Sequence, residues 1–254
     1  MVRSRPTRPT VIGLVPARAG SQRIKGKNVR PLLGHPLIAY TIASAVESGV
    51  FSQVIVSTDS TEYAAVARHY GADVPFLRPS ELAGPTSPDI DWIRHALSRI
   101  RAIDAFAILR PTSPFRSAGT LGRAWERFLG IDCDSMRAVE RVRQHPGKMW
   151  VVAAGGESMH PLLDQANLPL PWHSQQTQAL QPVHVQNSSL EIVWAEAVAR
   201  TGKHAGDIVG PFLTEGVEGF SLDYEDEWTT AQNLIAAGKA VLPAVRAEPF
   251  RSAD

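Results

Sequence analysis

The first polar loop of the chain has the composition of an anion-binding site. Residues 16–28, here called the basic loop, read Pro-Ala-Arg-Ala-Gly-Ser-Gln-Arg-Ile-Lys-Gly-Lys-Asn and place four cations, Arg18, Arg23, Lys25 and Lys27, beside two glycines and a serine. In such a loop the backbone N–H groups bind phosphate oxygens while the side chains neutralise their charge. The loop matches neither the Walker A pattern nor the dinucleotide-binding fingerprint. It therefore predicts a polyphosphate site of another kind; a solvated basic turn is the alternative.

Three later segments carry polar side chains directly after predicted strands. Arg78 and Ser87 lie after the third predicted strand, and Arg110 and Arg116 flank the rigid Pro-Thr-Ser-Pro-Phe turn after the fourth. Arginine presents a planar fork that suits carboxylate or phosphate. Asp223 ends a further predicted strand, where a carboxylate suits a magnesium ion that bridges nucleotide phosphates. Ligands of open parallel sheets bind at the carboxyl ends of the strands, so we expect one site that includes the basic loop.

Short apolar runs alternate with helical periodicity along most of the chain. The spacing predicts strands at 11–15, 54–56, 74–77, 106–109 and 189–194. It predicts helices at 36–48, 61–70, 89–101, 117–128 and 225–237. This alternation is typical of βαβ units with a parallel sheet and right-handed crossovers. The predicted fold class is therefore α/β, a three-layer α/β/α, Rossmann-like domain with a mainly parallel sheet.

The alternation stops between about 149 and 186, where a Gly-Gly pair, four prolines and a glutamine-rich run occur. A loop of this length without structure of its own is uncommon in a compact domain. We therefore expect a small projecting arm or lobe at about 140–190 that makes the contact of a dimer. Residues 1–10 read as a disordered tail, 11–245 as the main domain and 246–254 as a second tail.

The composition excludes several classes of function. The 254 residues carry a formal net charge of +1 and are 44% hydrophobic, so we expect a folded core and neither nucleic acid nor a membrane as partner. The single cysteine, Cys133, can form neither an intrachain disulfide nor a thiolate metal site. The sequence has no His-x-x-x-His pair for zinc and no Gly-x-Ser-x-Gly elbow. Without an apolar segment long enough for a signal peptide or a membrane span, we expect a cytoplasmic protein.

A series of motifs, in order along the chain, resembles the acylneuraminate cytidylyltransferase family, the CMP-sialic acid synthetase-like enzymes. The motifs are Ala17–Asn28, Ile55–Asp59, Leu77–Ala83, Leu109–Arg116, His145–Lys148 and Gln186–Ser189. The resemblance extends from residue 11 to about 237. It implies a nucleotidyltransferase that transfers CMP from CTP to an acidic 2-keto sugar, sialic acid or a related nonulosonic acid, with release of pyrophosphate. It also implies Mg²⁺ as cofactor and a homodimer.

The resemblance implies roles for individual residues. The nucleotide-binding residues are Ala17, Arg18, Ser21, Arg23, Lys27 and Asn28 around the triphosphate, with Arg78 and Ser87 at the cytosine. The sugar-binding residues are Arg110, Thr112, Ser113, Lys148 and Asn187, of which Lys148 reaches the partner subunit's site. The catalytic residues are Arg18, Lys27 and Asp223, and Asp223 holds the metal. No general base is identified.

The sequence departs from the family pattern at several of these motifs. Gln22 replaces a loop lysine, Arg110 a glutamine, Ser221 an aspartate of the magnesium site, Thr177 an arginine and Glu191 a tyrosine. Because the departures concentrate on the sugar side, they favour a relative of sialic acid as substrate.

Two other functions remain open at the level of the sequence. One is a nucleotidyltransferase or glycosyltransferase that uses another nucleotide. The other is a nucleotide-binding protein that has lost catalysis, which Gln22 and Ser221 suggest.

Overall fold

The computed structural model describes residues 5–163 and 169–251. Residues 1–4 of the predicted first tail, 164–168 of the predicted arm and 252–254 of the predicted second tail lie outside the described residues. The chain divides into two compact units. The first comprises Met1–Ala138 and Asn187–Asp254, and the second comprises Val139–Gln186.

Ten strands and six α-helices make up the regular structure of the described residues. The strands are β1 Val11–Pro16, β2 Pro31–Leu32, β3 His35–Pro36, β4 Gln53–Ser57, β5 Ala105–Ile108, β6 Ser135–Arg141, β7 Trp150–Val152, β8 Met159–Pro161, β9 His184–Trp194 and β10 Val209–Leu213. The helices are α1 Leu37–Glu47, α2 Thr61–His69, α3 Asp89–Arg99, α4 Ala118–Leu129, α5 Ala195–Thr201 and α6 Glu225–Ala236.

Six of the strands form the central sheet, in the order β10-β6-β9-β5-β1-β4. Strand β1 pairs in parallel with both β4 and β5, and Leu14 lies opposite Ile55 on one side and Ile108 on the other. Strand β9 is antiparallel to β5. The parallel strands are short apolar runs that are buried on both faces, as parallel sheets require.

Helices cover both faces of this sheet. Val15 and Val56 belong to a core cluster that includes residues of α1, α2 and α4, whereas Leu14 and Ile108 belong to a second cluster with α3 and α5. Alternate residues of β1 therefore face opposite helix layers. The predicted α/β class, with three layers and a mainly parallel sheet, is confirmed.

A third apolar cluster fixes α6 beside the site described below. Leu222 and Trp228 pack with Phe115 of the turn after β5 and with Leu37 of α1. The backbone N–H of Leu222 donates to the carbonyl of Thr112, at 2.8 Å. These contacts bring the segment before α6 to the carboxyl end of β5.

Two predicted strands are wrong. Residues 74–77 form no strand, and only Asp73 makes an isolated parallel bridge, with Ile55. Pro75 cannot donate to a ladder, which explains why the pairing ends there. Asp223 does not end a strand either, because residues 220–223 form a loop that leads into α6.

The described parts of both predicted tails contact the first unit although they form no helix or strand. The guanidinium of Arg5 lies 4.5 Å from the ring centroid of Trp194. Near the other end, the N–H of Phe250 donates to the hydroxyl of Tyr70 at 3.0 Å. Among the described residues, none of the helices combines the length and the apolar character that crossing a bilayer requires.

The second unit contains a small hairpin and a histidine-centred turn. Strands β7 and β8 pair antiparallel. His145 accepts a hydrogen bond from the N–H of Gly147 at 3.0 Å, and a Cβ on Gly147 would lie 2.7 Å from Trp172, so only glycine fits there. Lys148 donates to the carbonyl oxygens of Gln175 and His173, at 2.6 and 3.3 Å. The role of this unit in a dimer stays a prediction.

Candidate active site

A cavity of about 650 Å³ opens at the carboxyl ends of β1 and β5 in the first unit. The basic loop, the turn after β5 and the segment before α6 all contribute to its lining. Its charged lining residues are five cations and two carboxylates: Arg18, Arg23, Lys27, Arg78, Arg110, Asp89 and Asp223. Since the whole chain has a net charge of only +1, positive charge is concentrated in this cavity.

Backbone hydrogen bonds fix the start of the basic loop. The N–H of Ala17 extends the ladder of β1 by donating to the carbonyl of Ser57, at 3.0 Å, and Ala17 is fully buried. The N–H of Ala19 donates to the carboxylate of Asp59 at 2.9 Å, and Arg18 donates to the carbonyl of Gly84. The cations that follow are thus carried by a loop of fixed shape.

Lys27 and Asp223 form the central ion pair of the cavity. The Nζ of Lys27 lies 2.9 Å from Oδ1 of Asp223 and 2.9 Å from the carbonyl of Leu222. Arg23 lies 3.8 Å from the same carboxylate, and the hydroxyl of Ser221 donates to its other oxygen at 2.7 Å. Burial alone would raise the pKa of Asp223, but these hydrogen bonds and the neighbouring cations lower it. Asp223 is therefore ionised at neutral pH.

Gly26 sets the direction of the loop just before Lys27. Its φ of +64° lies in the left-handed region, which glycine adopts without strain, and it precedes the short 3₁₀ turn Lys27–Val29. Asn28, which is buried, donates from Nδ2 to the carbonyl of Arg18 at 3.2 Å. This bond closes the loop on itself.

Arg78 presents a buried guanidinium to the cavity. Its Nε donates to Oγ of Ser57 at 3.1 Å, its Nη2 donates to the Ser57 carbonyl at 2.8 Å, and the group lies 5.0 Å from the ring centroid of Trp92. Burial is the main reason that the pKa of Arg78 falls to about 10, and it remains charged at neutral pH. Ser87, which also lines the cavity, donates to the carbonyl of Glu81 at 3.1 Å.

Arg110 lies between two carboxylates. Its Nη2 is 2.5 Å from Oδ2 of Asp89, the first residue of α3, and 3.4 Å from Oε1 of Glu191 on β9. Burial alone would lower the pKa of Arg110, but the two carboxylates raise it. Asp89 also accepts a hydrogen bond from Nε1 of Trp92 at 2.8 Å.

The structure brings most of the predicted site residues to one cavity. Those that line it are Arg18, Ser21, Arg23, Lys27, Asn28, Arg78, Ser87, Arg110, Thr112 and Asp223. Ala17, Ser113 and Asn187 do not line it. Ser113 is buried, and its hydroxyl has no hydrogen-bond partner among the described residues. Asn187 donates to the hydroxyl of Thr214 at 2.9 Å, while its neighbour Ser188 lines the cavity.

Sequence reasoning missed Asp89, Trp92 and Gly84 as cavity residues. In the sequence, Asp89 is explained by its favourable charge in the first turn of a helix, so it does not stand out as a cavity residue. Gly84 contributes only a backbone carbonyl, which no side-chain pattern reveals. Lys148 belongs to the second unit, and its predicted role at the site stays a prediction.

Asp223 is the one carboxylate that the sequence predicts as a magnesium ligand. Among the described residues, no three His, Cys, Asp or Glu side chains are grouped so as to hold a metal ion. Magnesium is commonly bound through one or two carboxylates together with substrate phosphates and water. Asp223, ionised and in the cavity lining, fits such a shared site, and the residues do not form an all-protein cage.

The fold and this cavity define a nucleotidyltransferase of the α/β class. A family model described as cytidylyltransferase matches residues 12–89. A CMP-N,N'-diacetyllegionaminic acid synthase of Legionella pneumophila is 31% identical over 237 residues, which cover 91% of this chain and 99% of that enzyme. The chain therefore belongs to the family of acylneuraminate and related nonulosonic acid cytidylyltransferases.

Two further similarities concern part of the sequence and the fold. An N-acylneuraminate cytidylyltransferase of Escherichia coli is 47% identical over 111 residues, which cover 44% of this chain but only 26% of that enzyme. Among solved structures, a CMP-2-keto-3-deoxy-manno-octonic acid synthetase in complex with CTP superposes with a TM-score of 0.64 and 12% identity, covering 90% of this chain and 99% of the other. At this identity the structural likeness supports the fold alone.

Proposed function

We propose that this chain transfers CMP from CTP to the anomeric hydroxyl of an acidic 2-keto sugar and releases pyrophosphate. The observation that carries the proposal is the concentration of five cations in one cavity of a nearly neutral chain. A triphosphate and an acidic sugar both bring negative charge to such a site. The similarity over nearly the full length to a CMP-nonulosonic acid synthase supports the same reaction.

The proposed nucleotide roles are those that the family resemblance implies. Lys27, Arg18 and Arg23 bind the triphosphate, together with Ser21 and Asn28. Arg78 and Ser87, which line the same cavity, bind the cytosine. Ala17 contributes by holding the start of the basic loop on the sheet, since its N–H is already bonded to Ser57.

The chemical step is an in-line displacement at the α-phosphorus. The anomeric hydroxyl loses its proton to the solvent, and its oxygen forms a new P–O bond as the bond from the α-phosphorus to the bridging oxygen of pyrophosphate breaks. Arg18 and Lys27 neutralise the charge that accumulates on the phosphoryl oxygens, and they are in place before the reaction begins. Positioning and charge stabilisation carry most of the catalysis in transfers of this type.

Magnesium is the proposed cofactor, with Asp223 as its protein ligand. Bound there, the ion would supply positive charge that stabilises the phosphate groups of the nucleotide. Ser221 and Lys27 orient the Asp223 carboxylate through their hydrogen bonds. Lys27 would share that carboxylate with the ion.

The sugar roles are proposed for Arg110, Thr112, Ser113, Lys148 and Asn187. Arg110 and Thr112 line the cavity, which supports direct contact. Ser113 and Asn187 act instead through their neighbours, Thr112 and Ser188, because neither lines the cavity itself.

The test is pyrophosphate release from CTP and Mg²⁺ with a panel of sialic, legionaminic, pseudaminic and deoxyoctulosonic acids. We expect release that requires both CTP and one of these sugars. Competition among the four nucleoside triphosphates checks the base preference, and a preference for UTP, ATP or GTP would contradict the cytidylyl assignment. CTP binding without release on the whole panel would favour the non-catalytic alternative.

The second unit supports a proposal about assembly. It exposes large apolar side chains, including Trp150 at 38%, Val152 at 60%, Met159 at 56% and Leu162 at 49% exposure. Such a concentration of exposed apolar surface is typical of an interaction site. We propose a homodimer through this unit, and a monomeric mass in light scattering at micromolar concentration would contradict it.

The proposed location is the cytoplasm, where a nucleoside triphosphate substrate is available. The single buried thiol of Cys133 is compatible with a reducing compartment. Fractionation of cells followed by the CTP-dependent assay checks this proposal.

A further inference from the structure

Glu191 is a buried carboxylate that no part of the proposed chemistry uses. It lies on β9 opposite Ile108 of β5, two residues before Arg110, and its side chain is 5% exposed. Burial alone would raise the pKa of Glu191, but a hydrogen bond with His204 and the charges of Arg137 and Arg110 lower it. Glu191 is therefore an anion held in the interior at the edge of the cavity.

The partners of Glu191 divide between its two oxygens. Arg137 donates to Oε2, and Nε2 of His204 lies 3.5 Å from the same atom. Oε1 faces Arg110, whose Nη2 is 3.4 Å away. The pairing with Arg137 balances the charge of Glu191, so the contact with Arg110 mainly fixes the direction of that side chain.

Asp89 holds the same nitrogen of Arg110 from another element of the fold. Its Oδ2 lies 2.5 Å from Nη2, and its other oxygen is fixed by the indole N–H of Trp92. We call Arg110, Asp89 and Glu191 the arginine clamp. Two carboxylates, one on α3 and one on β9, thus converge on one end of one guanidinium.

The clamp leaves part of the guanidinium available to a ligand. Nη1 and Nε of Arg110 donate to none of the described residues, and the side chain is 28% exposed and lines the cavity. Arginine carries five N–H donors in a planar group that suits a carboxylate. A guanidinium fixed at one end loses little further freedom when its other donors bind.

The charge around the clamp favours an anion. The Asp89–Arg110 and Glu191–Arg137 pairs are each balanced. The cavity that Arg110 lines holds five cations and only two carboxylates. A single carboxylate that binds at Arg110 therefore meets net positive charge.

We propose that Arg110 binds the carboxylate of the acidic sugar, and that Asp89 and Glu191 are positioning residues that direct Arg110 toward it. This inference rests on the proposed cytidylyl transfer and deepens it by naming the sugar group that the enzyme selects. Arg110 and Glu191 are also two of the residues at which the sequence departs from the family pattern, and these two residues form an ion pair with each other. A neutral residue at either place would remove the pair.

The experiment compares an acidic sugar that the wild type accepts with the carboxamide of the same sugar, which keeps the anomeric hydroxyl. In Arg110→Gln we expect the KM for the acidic sugar to rise about 10- to 100-fold, because a hydrogen-bonded charge is lost. The KM for CTP should stay within about twofold, and the KM for the carboxamide should not change. Arg123→Gln, which removes an arginine that pairs with Glu218 outside the cavity lining, is the control and should match the wild type.

Glu191→Gln tests the positioning role. We expect a smaller rise in the KM for the acidic sugar, about 3- to 10-fold, with kcat and the KM for CTP unchanged. The double variant Arg110→Gln/Glu191→Gln should be no worse than Arg110→Gln alone, since Glu191 acts through Arg110. If Glu191→Gln does not fold, Arg110→Lys replaces it, because it keeps the charge but not the planar group, and its KM for the acid should still rise.

Each other outcome overturns the inference. An Arg110→Gln variant that raises the KM for CTP but not for the sugar would assign Arg110 to the nucleotide. An equal rise in the KM for the acidic sugar and in the KM for its carboxamide would mean that Arg110 does not recognise the carboxylate. An active wild type with an unaffected Arg110→Gln variant would refute this inference alone, whereas a wild type that binds CTP but accepts no acidic sugar would refute it together with the proposed function.

Discussion

The basic loop and the arginine clamp both contribute side chains to one cavity, the clamp through Arg110 and Asp89, but they assemble their charges in opposite ways. The cations of the loop lie within ten residues of one another, and two of them, Arg23 and Lys27, share one carboxylate, Asp223. In the clamp, one arginine is held by carboxylates that lie 21 and 81 residues away in the chain. Several cations with few counter-charges suit a large polyanion such as a triphosphate, whereas a single fixed guanidinium suits one carboxylate in one orientation. We therefore expect the basic loop to neutralise the charge of a ligand and the arginine clamp to recognise one of its groups.

The largest effect should come from the basic loop. In Lys27→Met the side chain keeps its length and loses the charge, which lies at a site only 13% exposed. We expect kcat/KM to fall about 10²- to 10³-fold, as for the loss of one fixed donor to a developing anion. Steady-state pyrophosphate release measures this loss.

Lys25→Met is the matched control for that variant. Lys25 belongs to the same loop but is exposed and does not line the cavity, so its replacement should leave kcat/KM within about twofold. Equal losses in the two variants would mean that the loop acts through its total charge and not through the placement of Lys27.

Asp223→Asn should have the next largest effect. The substitution removes the only carboxylate proposed for magnesium and leaves Lys27 without its anionic partner. We expect kcat/KM to fall about 10- to 100-fold and the Mg²⁺ concentration for half-maximal rate to rise. A titration of the rate with Mg²⁺ measures both quantities. Glu225→Gln, two residues further on, removes an exposed carboxylate that pairs with Arg30 and should change neither.

The basic loop and the strands next to it can be predicted from the sequence. The strands β1 and β5 and the centre of β4, Val54–Val56, are apolar runs, and Ser60 caps α2, with the N–H of Tyr63 donating to its hydroxyl at 3.2 Å. Because the cations of the loop are neighbours in the sequence and follow β1, their convergence needs no knowledge of distant contacts. The same reasoning placed Asp223 at the site, although through a strand that does not exist.

The clamp lies beyond sequence reasoning for a physical reason. Glu191 occurs within the apolar run of β9, and nothing in that run names its partner. The pairing arises because β9 lies next to β5 in the sheet, an order that the sequence pattern did not specify. Strands β6 and β10 were missed as well, since β6 contains Arg137 and ends in the charged pair Glu140–Arg141, and β10 contains Pro211. Long-range order among the later strands is therefore the part of this fold that local patterns leave undetermined.

Arg78 separates recognition of the base from recognition of the sugar. Arg78→Lys keeps the charge but loses the two bonds to Ser57 and the flat contact with Trp92. We expect the KM for CTP to rise about tenfold while the KM for the sugar is unchanged, the reverse of the pattern expected for Arg110→Gln. Arg99→Lys, at the exposed end of α3, is the control. A rise in both KM values would mean that the two arginines serve one substrate.

The smallest expected effect is on thermal stability. It depends on pH because it arises from the charge of Glu191 in the arginine clamp. The folded state lowers the pKa of Glu191 below its ordinary value of 4.5, so its charge stabilises the fold fully above that pH and progressively less as the pH falls through the lowered pKa. Glu191→Gln lacks this contribution at every pH. We expect its Tm to lie about 2–4 °C below that of the wild type at pH 7, which corresponds to the loss of about 1 kcal/mol, the net contribution of one hydrogen bond.

The difference in Tm between the wild type and Glu191→Gln should narrow as the pH falls below 4.5. The wild type then loses the stabilisation that the charge of Glu191 provides, which the variant lacks at every pH. Thermal unfolding at pH 7, 5 and 3.5 measures it, with Glu196→Gln on the exposed surface of α5 as the control without a difference. A difference that stays constant over this range would mean that Glu191 stabilises the fold by its shape and not by its charge. In that case Asp89 would be the only carboxylate of the arginine clamp that directs Arg110 by its charge.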